Sequence, residues 1–428
     1  MGRQENTQEF SKIKFFLFNT NKTVVLLSRS SPEGIAATAI FVKTLKNINK
    51  NFSVSFYTSL DESKLQEISI AKTKTMIILD PLEQEVRAIQ TLKEKYFFVL
   101  TSKETTCSEK AYTIAKEIDP KNQELAFIML LSLINFENET VLTEVKKSEK
   151  LEEIKGFLLF GSNTRPVHKT LELSFNPFLS KYSGSEENSS NLLKELGIIS
   201  KVSNSSISLF DLQEYQTKQL IEALNLSSLK EEELYAKTFL IKEEEKTNPL
   251  KDIREVHIFI EACIAYEKPT LAVAKIFSTK EYKNRALEVL KEYRLELINA
   301  LTLFYTKTNL EIITEKENCS IINFKTLISE AVLPKVMQLI QSSKLYPQKK
   351  RVIALCQTKT GQIKCGVGCY GEKTDQTLKT FIEALPEQVI KETTKDYLML
   401  NVDHSYEAKL LEIVLEHFEA VRIEGVSE

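Results

Sequence analysis

The chain has 428 residues, which is long enough for two or three domains with hydrophobic cores of their own. Hydrophobic residues make up 42% and charged residues 27%, a composition typical of soluble globular proteins. The 57 basic and 59 acidic residues leave a net charge of −2. This balance argues against tight, non-specific binding of duplex DNA driven by overall charge, but it does not exclude a local basic groove.

Glycine and cysteine usage argue against several cofactor classes. There are only 11 glycines, and neither Gly-x-x-x-x-Gly-Lys nor Gly-x-Gly-x-x-Gly occurs. Phosphate-binding loops need such glycines because backbone amides must approach the ligand closely. The six cysteines are scattered and lack the two-residue spacing of zinc or redox pairs, so we interpret them as structural thiols. We therefore expect no cofactor and no metal bound by cysteine; whether Glu33 and Asp80 hold one weak cation stays open.

Targeting signals are also missing from the sequence pattern. Residues 1–6 are too polar for a signal peptide. The most apolar stretch, 125–136, is shorter than the roughly 18 residues that a membrane helix needs. Together with the scattered cysteines, these features predict a cytoplasmic protein that does not bind membranes.

Apolar runs alternate with helical patterns over the first hundred residues. Strands are predicted at 15–18, 24–27, 52–57, 76–79 and 97–100, with helices at 36–46 and 83–93 among the segments between them. Continuous apolar strands separated by helices predict a parallel sheet covered on both faces. Binding sites in such sheets lie beyond the carboxyl ends of the strands.

The rest of the chain predicts an exposed loop, a linker and a second lobe. Residues 183–190 are rich in Ser, Glu and Asn and predict the loop. Two acidic clusters in 229–250 predict the linker, with an acidic docking element as the alternative. A capping-box pattern at 278–281 precedes a long amphipathic helix. A small α/β lobe follows, with strands at 351–357, 362–370 and 397–402 and helices at 375–387 and 408–418.

The segment 23–40 is the most informative part of the sequence. A strand runs into a tight turn and then into an alanine-rich helix start. The segment resembles the first motif of the DHH phosphoesterase superfamily, in which the strand ends in Asp-x-Asp-Gly and the two carboxylates hold catalytic metal ions. Here those two positions are Ser31 and Glu33, followed by Gly34.

The later motifs of the superfamily are matched in their order along the chain, but most of their metal-ligand residues are replaced. Asp80, which ends an apolar strand, matches the second-motif aspartate. The third motif should read Asp-His-His after the next strand, but Thr101, Ser102 and Lys103 stand there. At the expected fourth-motif aspartate the chain has Asn135 and Phe136.

These replacements predict a protein without catalytic activity. Two-metal hydrolysis of a phosphodiester needs several carboxylate and imidazole ligands around two cations. The sequence offers Asp80 and at most Glu33, and a lysine at 103 would repel cations. We hypothesise that Lys103 lies near Asp80 and replaces part of the lost metal charge; the alternative is that both side chains are simply solvated.

The resemblance extends along almost the whole chain. Segments that resemble the archaeal RecJ-like nucleases of the superfamily lie at 165–171, 176–178, 192–198, 260–265, 268–271 and 286–294. Residues 363–366 resemble the strand of the DHH-associated domain that grips nucleic acid, although its Gly-Gly-Gly-His motif is absent. The chain thus resembles the catalytically inactive archaeal RecJ-like proteins, counterparts of a eukaryotic cell-division-cycle factor of the replicative helicase.

This resemblance implies an architecture and a set of partners. It implies an α/β fold in which a degenerate DHH domain at 1–228 is joined by a linker at 229–250 to a smaller DHH-associated (DHHA1-like) α/β domain at 251–428. It also implies a replisome scaffold that binds the GINS complex and supports the MCM helicase, with single-stranded DNA as a candidate further ligand.

A basic group lies next to the predicted nucleic-acid grip. It consists of Lys349, Lys350, Arg351 and Lys364, with Tyr346 and Tyr370 as candidate stacking residues. A solvated loop is the alternative interpretation. Two other functions stay open at this point: a metal-dependent single-strand exonuclease or nucleotide phosphodiesterase with a divergent site, and a stand-alone single-stranded nucleic-acid binding protein.

Overall fold

The computed structural model describes residues 2–60, 64–66, 68, 75–90, 96–102, 105–133, 138–199, 201–202, 205–227, 229–277, 280–306, 312–316, 319–342, 351–368, 380–386, 389–393 and 397–419. The chain divides into two compact units. Unit 1 comprises Met1–Arg165, Ser208–Asp211 and Ser227–Leu290, and unit 2 comprises Pro166–Ile207, Leu212–Leu226 and Lys291–Glu428.

Unit 1 contains a four-stranded parallel sheet. Its strands are β1 (Val24–Arg29), β2 (Phe52–Tyr57), β3 (Thr75–Leu79) and β4 (Tyr96–Leu100), in the order β2-β1-β3-β4. In the register Leu26 pairs with Val54 on one side and with Ile77 on the other. The four matching strand predictions are confirmed. Strands β1, β3 and β4 have the apolar runs of a covered parallel sheet, whereas Ser53 and Ser55 interrupt β2 at the edge of the sheet.

Helices of unit 1 surround this sheet. They are α1 (Gly2–Asn19), α2 (Pro32–Asn47), α3 (Glu83–Gln90), α4 (Cys107–Ile118), a 3₁₀ helix at Pro120–Ser132 and α5 (Glu139–Lys147). Helix α2 packs against α4 and the 3₁₀ helix through its alanine-rich face.

The predicted strand at 15–18 is wrong, because these residues belong to helix α1. The apolar run is too short to separate strand from helix by itself. The burial pattern identifies a helix, because Phe10, Ile13 and Leu17 are buried at helical spacing, whereas Phe15 and Phe18 are exposed.

Residues 229–250 are part of a folded unit, which differs from the predicted linker. They include α9 (Glu231–Leu234) and β8 (Tyr235–Ile241), and β8 pairs antiparallel with β5 (Leu151–Phe157). Glu244, in the second acidic cluster, is buried and lies 2.7 Å from the Lys275 ammonium. The expected boundaries at 228 and 250 therefore do not coincide with the division into units. Helices α10 (Ile253–Ala265) and α11 (Pro269–Phe277) complete unit 1.

The first part of unit 2 is mainly helical. It contains α6 (Val167–Glu172), α7 (Glu186–Glu195), α8 (Glu214–Ala223) and the two-residue strands β6 (Lys201–Val202) and β7 (Ser205–Ser206). The loop prediction at 183–190 is wrong in its second half, because α7 begins at Glu186. The Ser185 hydroxyl accepts a hydrogen bond from the Asn188 amide, so the polar residues that suggested a loop form the start of a helix.

The long helix predicted after the capping-box pattern is present as α12 (Lys283–Tyr305). Its residues belong to unit 1 up to Leu290 and to unit 2 from Lys291. Two residues of the capping-box pattern, Ser278 and Thr279, lie outside the described residues.

A six-stranded sheet forms the rest of unit 2. Its strands are β9 (Ile313–Glu315), β10 (Cys319–Asn323), β11 (Arg351–Gln357), β12 (Ile363–Gly368), β13 (Ile390–Thr393) and β14 (Tyr397–Val402), in the order β13-β14-β12-β11-β10-β9. Strands β10 and β11 pair parallel, and the other neighbours pair antiparallel.

Helices lie on both faces of this sheet. Cys365 belongs to a hydrophobic cluster with Phe381 and with Val414 of α14 (Glu407–Glu419). Its neighbour Gly366 faces Met337 of α13 (Leu333–Ser342), because successive strand residues point to opposite faces. The strands and the last helix of the predicted small α/β lobe are thus present. Of the helix predicted at 375–387, residues 380–384 are helical, whereas 375–379 and 387 lie outside the described residues. In the part of the chain described here, no helix is long and apolar enough to cross a membrane.

Candidate functional site

Asp80 lies at the carboxyl edge of the parallel sheet in unit 1. It directly follows β3, and its amide donates to the Leu100 carbonyl oxygen at the end of β4. Its backbone is left-handed, with φ at +56°, a conformation that aspartate tolerates better than most residues. The residue is only 4% exposed, so its carboxylate needs internal partners.

Three side chains donate hydrogen bonds to the Asp80 carboxylate. The Ser31 hydroxyl donates to Oδ2 at 2.5 Å, and the Ser102 hydroxyl donates to Oδ1 at 2.6 Å. The Arg29 guanidinium donates from Nη2 to Oδ2 at 2.9 Å and from Nε to the Asp80 carbonyl oxygen at 2.9 Å. A buried carboxylate is tolerated when it is paired and hydrogen-bonded in this way.

The structure therefore brings together three of the predicted site residues, Ser31, Asp80 and Ser102. It adds Arg29, which the sequence reasoning missed. The sequence did contain a signal for Arg29, because this residue ends an apolar strand two positions before Ser31. A charged side chain at the end of a buried strand needs a partner of opposite charge.

Glu33 makes a separate set of contacts. Its Oε2 accepts a hydrogen bond from the backbone amide of Ser108 at 2.9 Å, in the first turn of α4. Burial raises the pKa of the Glu33 carboxyl, and the negative charge of Asp80 adds to this, while hydrogen bonds from Ser132 and Ser108 oppose it. Glu33 is thus engaged by the start of a helix, where carboxylates are favoured.

These contacts do not fit a two-metal centre. Asp80 already accepts three side-chain donors, one of them cationic, and Glu33 accepts a helix amide. Among the described residues, no group of three or more His, Cys, Asp or Glu could hold a metal ion. The Thr101 carbonyl oxygen accepts a hydrogen bond from Lys110 Nζ at 2.8 Å. The positions of Lys103, Asn135 and Phe136 lie outside the described residues, so the hypothesis about Lys103 stays a prediction.

The basic group expected to grip nucleic acid is only partly described. Lys349, Lys350, Tyr346 and Tyr370 lie outside the described residues. Arg351 begins β11, with its guanidinium 4.4 Å from the Phe418 ring centroid.

Lys364 lies on β12 opposite Cys356, and its ammonium donates to the Glu330 carbonyl oxygen at 3.3 Å. Cys356 is five residues along β11 from Arg351, which corresponds to about 16 Å of strand. The sheet therefore spreads Arg351 and Lys364 apart, and their role in nucleic-acid binding stays a prediction.

A cleft of about 450 Å³ in unit 1 was not anticipated from the sequence. It is lined by residues of α1, α4 and α5, among them Tyr112, Lys116 and Glu144. The Glu144 carboxylate accepts hydrogen bonds from the Lys116 ammonium at 2.6 Å and from the Tyr112 hydroxyl at 2.8 Å. The polar groups of Tyr112, Lys116 and Glu144 therefore form hydrogen bonds with one another.

The described residues thus form two α/β units, and unit 1 has a buried, hydrogen-bonded carboxylate at the carboxyl edge of its parallel sheet. No protein-family model matches the sequence, and no curated protein does. Solved structures do match, at low sequence identity.

The chain is similar to CDC45 from Entamoeba histolytica, with a TM-score of 0.65 and 10% identity over 96% of this chain and 99% of that one. It is also similar to exonuclease RecJ bound to manganese, with a TM-score of 0.54 and 10% identity over 97% and 95% of the two chains. A third match is the DHH domain of a member of the s1p family of ribosomal proteins, with a TM-score of 0.50 and 9% identity over 98% and 92%. The DHH-type fold that the sequence motifs predicted is thus confirmed.

Proposed function

We propose that this protein is a non-catalytic scaffold subunit in DNA replication that binds the GINS complex and supports the MCM helicase. The observation that carries the proposal is the Asp80 carboxylate, which is held by Arg29, Ser31 and Ser102 at the edge where a DHH enzyme needs metal ligands. Similarity of fold to CDC45 over nearly the full length supports the assignment to replication.

A scaffold needs a stable surface and not a reactive site. The contacts around Asp80 stabilise the carboxyl edge of the sheet, because they join the ends of β1, β3 and β4 through buried and partly buried hydrogen bonds. The same contacts occupy three of the roughly four lone-pair sites of the Asp80 carboxylate, two on Oδ2 and one on Oδ1. On this account the altered positions preserve the shape of the fold and remove its chemistry.

The test of the partner assignment is a pull-down from native extract with the tagged full-length chain, read by mass spectrometry. We expect the GINS subunits in stoichiometric amounts and MCM at lower yield. An unrelated tagged protein of similar size and net charge is the control. Recovery of the chain as a clean monomer without GINS would remove the scaffold proposal.

A nuclease function is the second candidate, because the manganese-bound RecJ exonuclease shares the fold over 97% of this chain. End-labelled single strands incubated with Mn²⁺ would test it, with Asp80→Ala as the matched variant. We expect no cleavage above a buffer control for either protein. Cleavage that Asp80→Ala abolishes would favour the enzyme.

Binding of single-stranded DNA without partners is a further alternative, and salt dependence decides it. Micromolar or tighter binding that weakens steeply with salt would favour a stand-alone binding protein. Binding seen only in the presence of GINS fits the scaffold.

A further inference from the structure

We propose that the outer edge of β2 is a docking site for the same strand of a second copy of this chain, so that two copies join their parallel sheets into one. The inference goes beyond the proposed function and needs none of its partners. A pull-down without GINS would leave it standing, and a chain that stays monomeric in solution would leave the pull-down result unchanged.

The first argument is the backbone of β2, which lies at one edge of the strand order β2-β1-β3-β4. The Asn51 carbonyl oxygen accepts a hydrogen bond from the Val24 amide at the start of β1. Since alternate residues of a strand direct their backbone groups to the same side, the opposite edge presents those of Phe52, Val54 and Phe56. Within the part of the chain that the structure describes, no backbone hydrogen bond reaches these outward groups.

The second argument is that this edge lacks the usual protection against pairing. Residues 51–57 contain neither a charged residue nor a proline, which are two common means of protecting a free edge. Edge strands elsewhere do carry charged residues: Glu152, Glu153 and Lys155 on β5, Glu315 on β9, and Lys391 and Glu392 on β13. Strand β4, at the other edge of the same sheet, is contacted by α1, where the ring centroids of Phe16 and Phe98 lie 5.4 Å apart.

The third argument is that β2 is complementary to itself about a two-fold axis. An antiparallel pair centred on Val54 places Phe52 opposite Phe56 of the second copy, and Ser53 opposite Ser55. All three outward residues then lie in hydrogen-bonded pairs, each of which exchanges two bonds. Aromatic residues that face each other across strands are stabilising, and no like charges meet. The apolar side chains of this edge are only half-buried in one chain, so pairing removes more of their surface from water.

The symmetry also limits the size of the assembly. A pair of copies uses the β2 edge of each, and the sheet then has the order β4-β3-β1-β2-β2-β1-β3-β4. Its two ends are β4 strands, which α1 contacts, so we expect association to stop at the dimer. One pair of strands buries less than the roughly 1,600 Å² of a standard interface, so we expect a weak and reversible dimer.

The first experiment is sedimentation velocity of the purified full-length chain over the micromolar concentration range, together with hydrogen exchange of its backbone amides. We expect a mass that rises reversibly toward that of two chains, and slower exchange of the Phe52, Val54 and Phe56 amides at the higher concentrations. A chain that stays monomeric throughout overturns the proposal, as does a dimer in which these amides exchange as fast as in the monomer. Protection seen only in a complex with another protein would assign the edge to that protein's strand and overturn pairing with a second copy.

Val54→Pro tests the edge while keeping the pairing of β2 with β1. The Val54 amide points away from β1, so proline removes a group that only the second copy would use. Ser55→Pro is the matched control, because the Ser55 amide faces β1. We expect Val54→Pro to lose the dimer with a much smaller fall in Tm than Ser55→Pro shows. A Val54→Pro variant that dimerises like the unaltered chain would contradict the proposal.

Charge variants at two exposed positions test the register without a folding defect. Ser53→Glu with Ser55→Glu places like charges opposite each other across the two-fold axis, as does Ser53→Lys with Ser55→Lys. We expect each of these proteins to self-associate roughly tenfold more weakly at low salt, and a mixture of the two to form heterodimers. Ser53→Glu with Ser55→Lys places opposite charges across the axis and should dimerise more tightly than the unaltered chain. Equal association of all these variants would refute pairing centred on Val54.

Discussion

Single residues at the first altered motif are constrained by packing as well as by polarity. Gly34 lies in the first turn of α2, where a side chain would overlap the Arg29 carbonyl oxygen and lie 2.7 Å from the Ser28 hydroxyl. The turn between β1 and α2 therefore needs glycine for space. Packing alone explains Gly34, because a side chain there would overlap the end of β1.

We predict that Gly34→Ala destabilises unit 1 by about 2–3 kcal/mol, since the start of α2 must shift away from β1 to make room. Chemical denaturation followed by circular dichroism would measure the change. Gly197→Ala is the control, because that site is open and only its left-handed backbone, at φ +64°, opposes alanine. An equal loss in both variants would contradict the steric explanation.

At the residue scale the sequence predicted which site positions are altered but not how they are used. Ser31, Asp80 and Ser102 lie together as the strand ends predicted. Lys103 was hypothesised to lie near Asp80, with solvation of both side chains as the alternative, and this stays a prediction. Among the described residues the cationic contact to Asp80 comes from Arg29, 51 positions before it. Local pattern does not reveal such a pairing, because it depends on the parallel register of β1 and β3.

At the scale of elements, buried ion pairs join segments that are distant in sequence. The Arg165 guanidinium donates to the Glu255 carboxylate through Nη1 at 2.5 Å and through Nη2 at 3.2 Å. Glu255 is fully buried in α10, and Arg165 is 7% exposed. This forked contact connects the end of the first segment of unit 1 with α10.

We predict that Glu255→Gln lowers the stability of unit 1 by about 3 kcal/mol, because it leaves a buried guanidinium without its counter-charge. Arg165→Met combined with Glu255→Leu should recover most of that loss. Glu231→Gln, in the exposed pair with Lys155, is the matched control and should change nothing measurable. Thermal unfolding of the four proteins gives the comparison; a double variant as unstable as Glu255→Gln would contradict the charge argument.

Helices α4 and α5 meet through a more exposed cluster around Glu144. Hydrogen bonds from Lys116 and Lys147 lower the pKa of the Glu144 carboxyl to about 2, with a smaller contribution from Tyr112. A carboxyl with a lowered pKa stabilises the folded state above its unfolded pKa, and this stabilisation disappears as the pH falls toward the folded value. The window here runs from about 4.5 down to about 2.

We predict that Glu144→Gln lowers stability by about 0.5–1 kcal/mol at pH 7, since solvent screens the pair, and that the difference from the unaltered protein vanishes as the pH falls through that window. Denaturation curves at pH 7, 4 and 3 would measure it. Glu124→Gln, whose nearest described cation is 3.8 Å away, serves as the control. A difference that stays constant with pH would contradict the assignment to Glu144.

At the scale of the whole molecule, the compact units are not contiguous in sequence. The chain leaves unit 1 after Arg165, and the later segments Ser208–Asp211 and Ser227–Leu290 belong to unit 1 again. Strand β8 pairs with β5 along its full length, and α10 supplies Glu255 to Arg165. Charge runs suggested a linker at 229–250 because exposed acidic residues dominate there, whereas Glu244 and the inward residues of β8 are buried.

We predict that a fragment ending at 228 does not fold cooperatively, because β5 loses its partner strand and Arg165 loses its counter-charge. A fragment ending at 290 contains all of unit 1 and should show a sharper thermal transition and greater protection of the β1 and β3 amides in hydrogen exchange. Equally cooperative unfolding of the two fragments would support a domain boundary at residue 228.

The sequence by itself determined the strands of the parallel sheet, the long helix, the strands of the small α/β lobe and the DHH-type fold. These features follow from short-range periodicity and from residue types at motif positions, which are local properties. Tertiary structure decided that residues 15–18 are helical, that β8 belongs to unit 1, and that Arg29 neutralises Asp80. Each of these depends on which distant segment supplies burial, a strand partner or a counter-charge, and that is set only when the chain has folded.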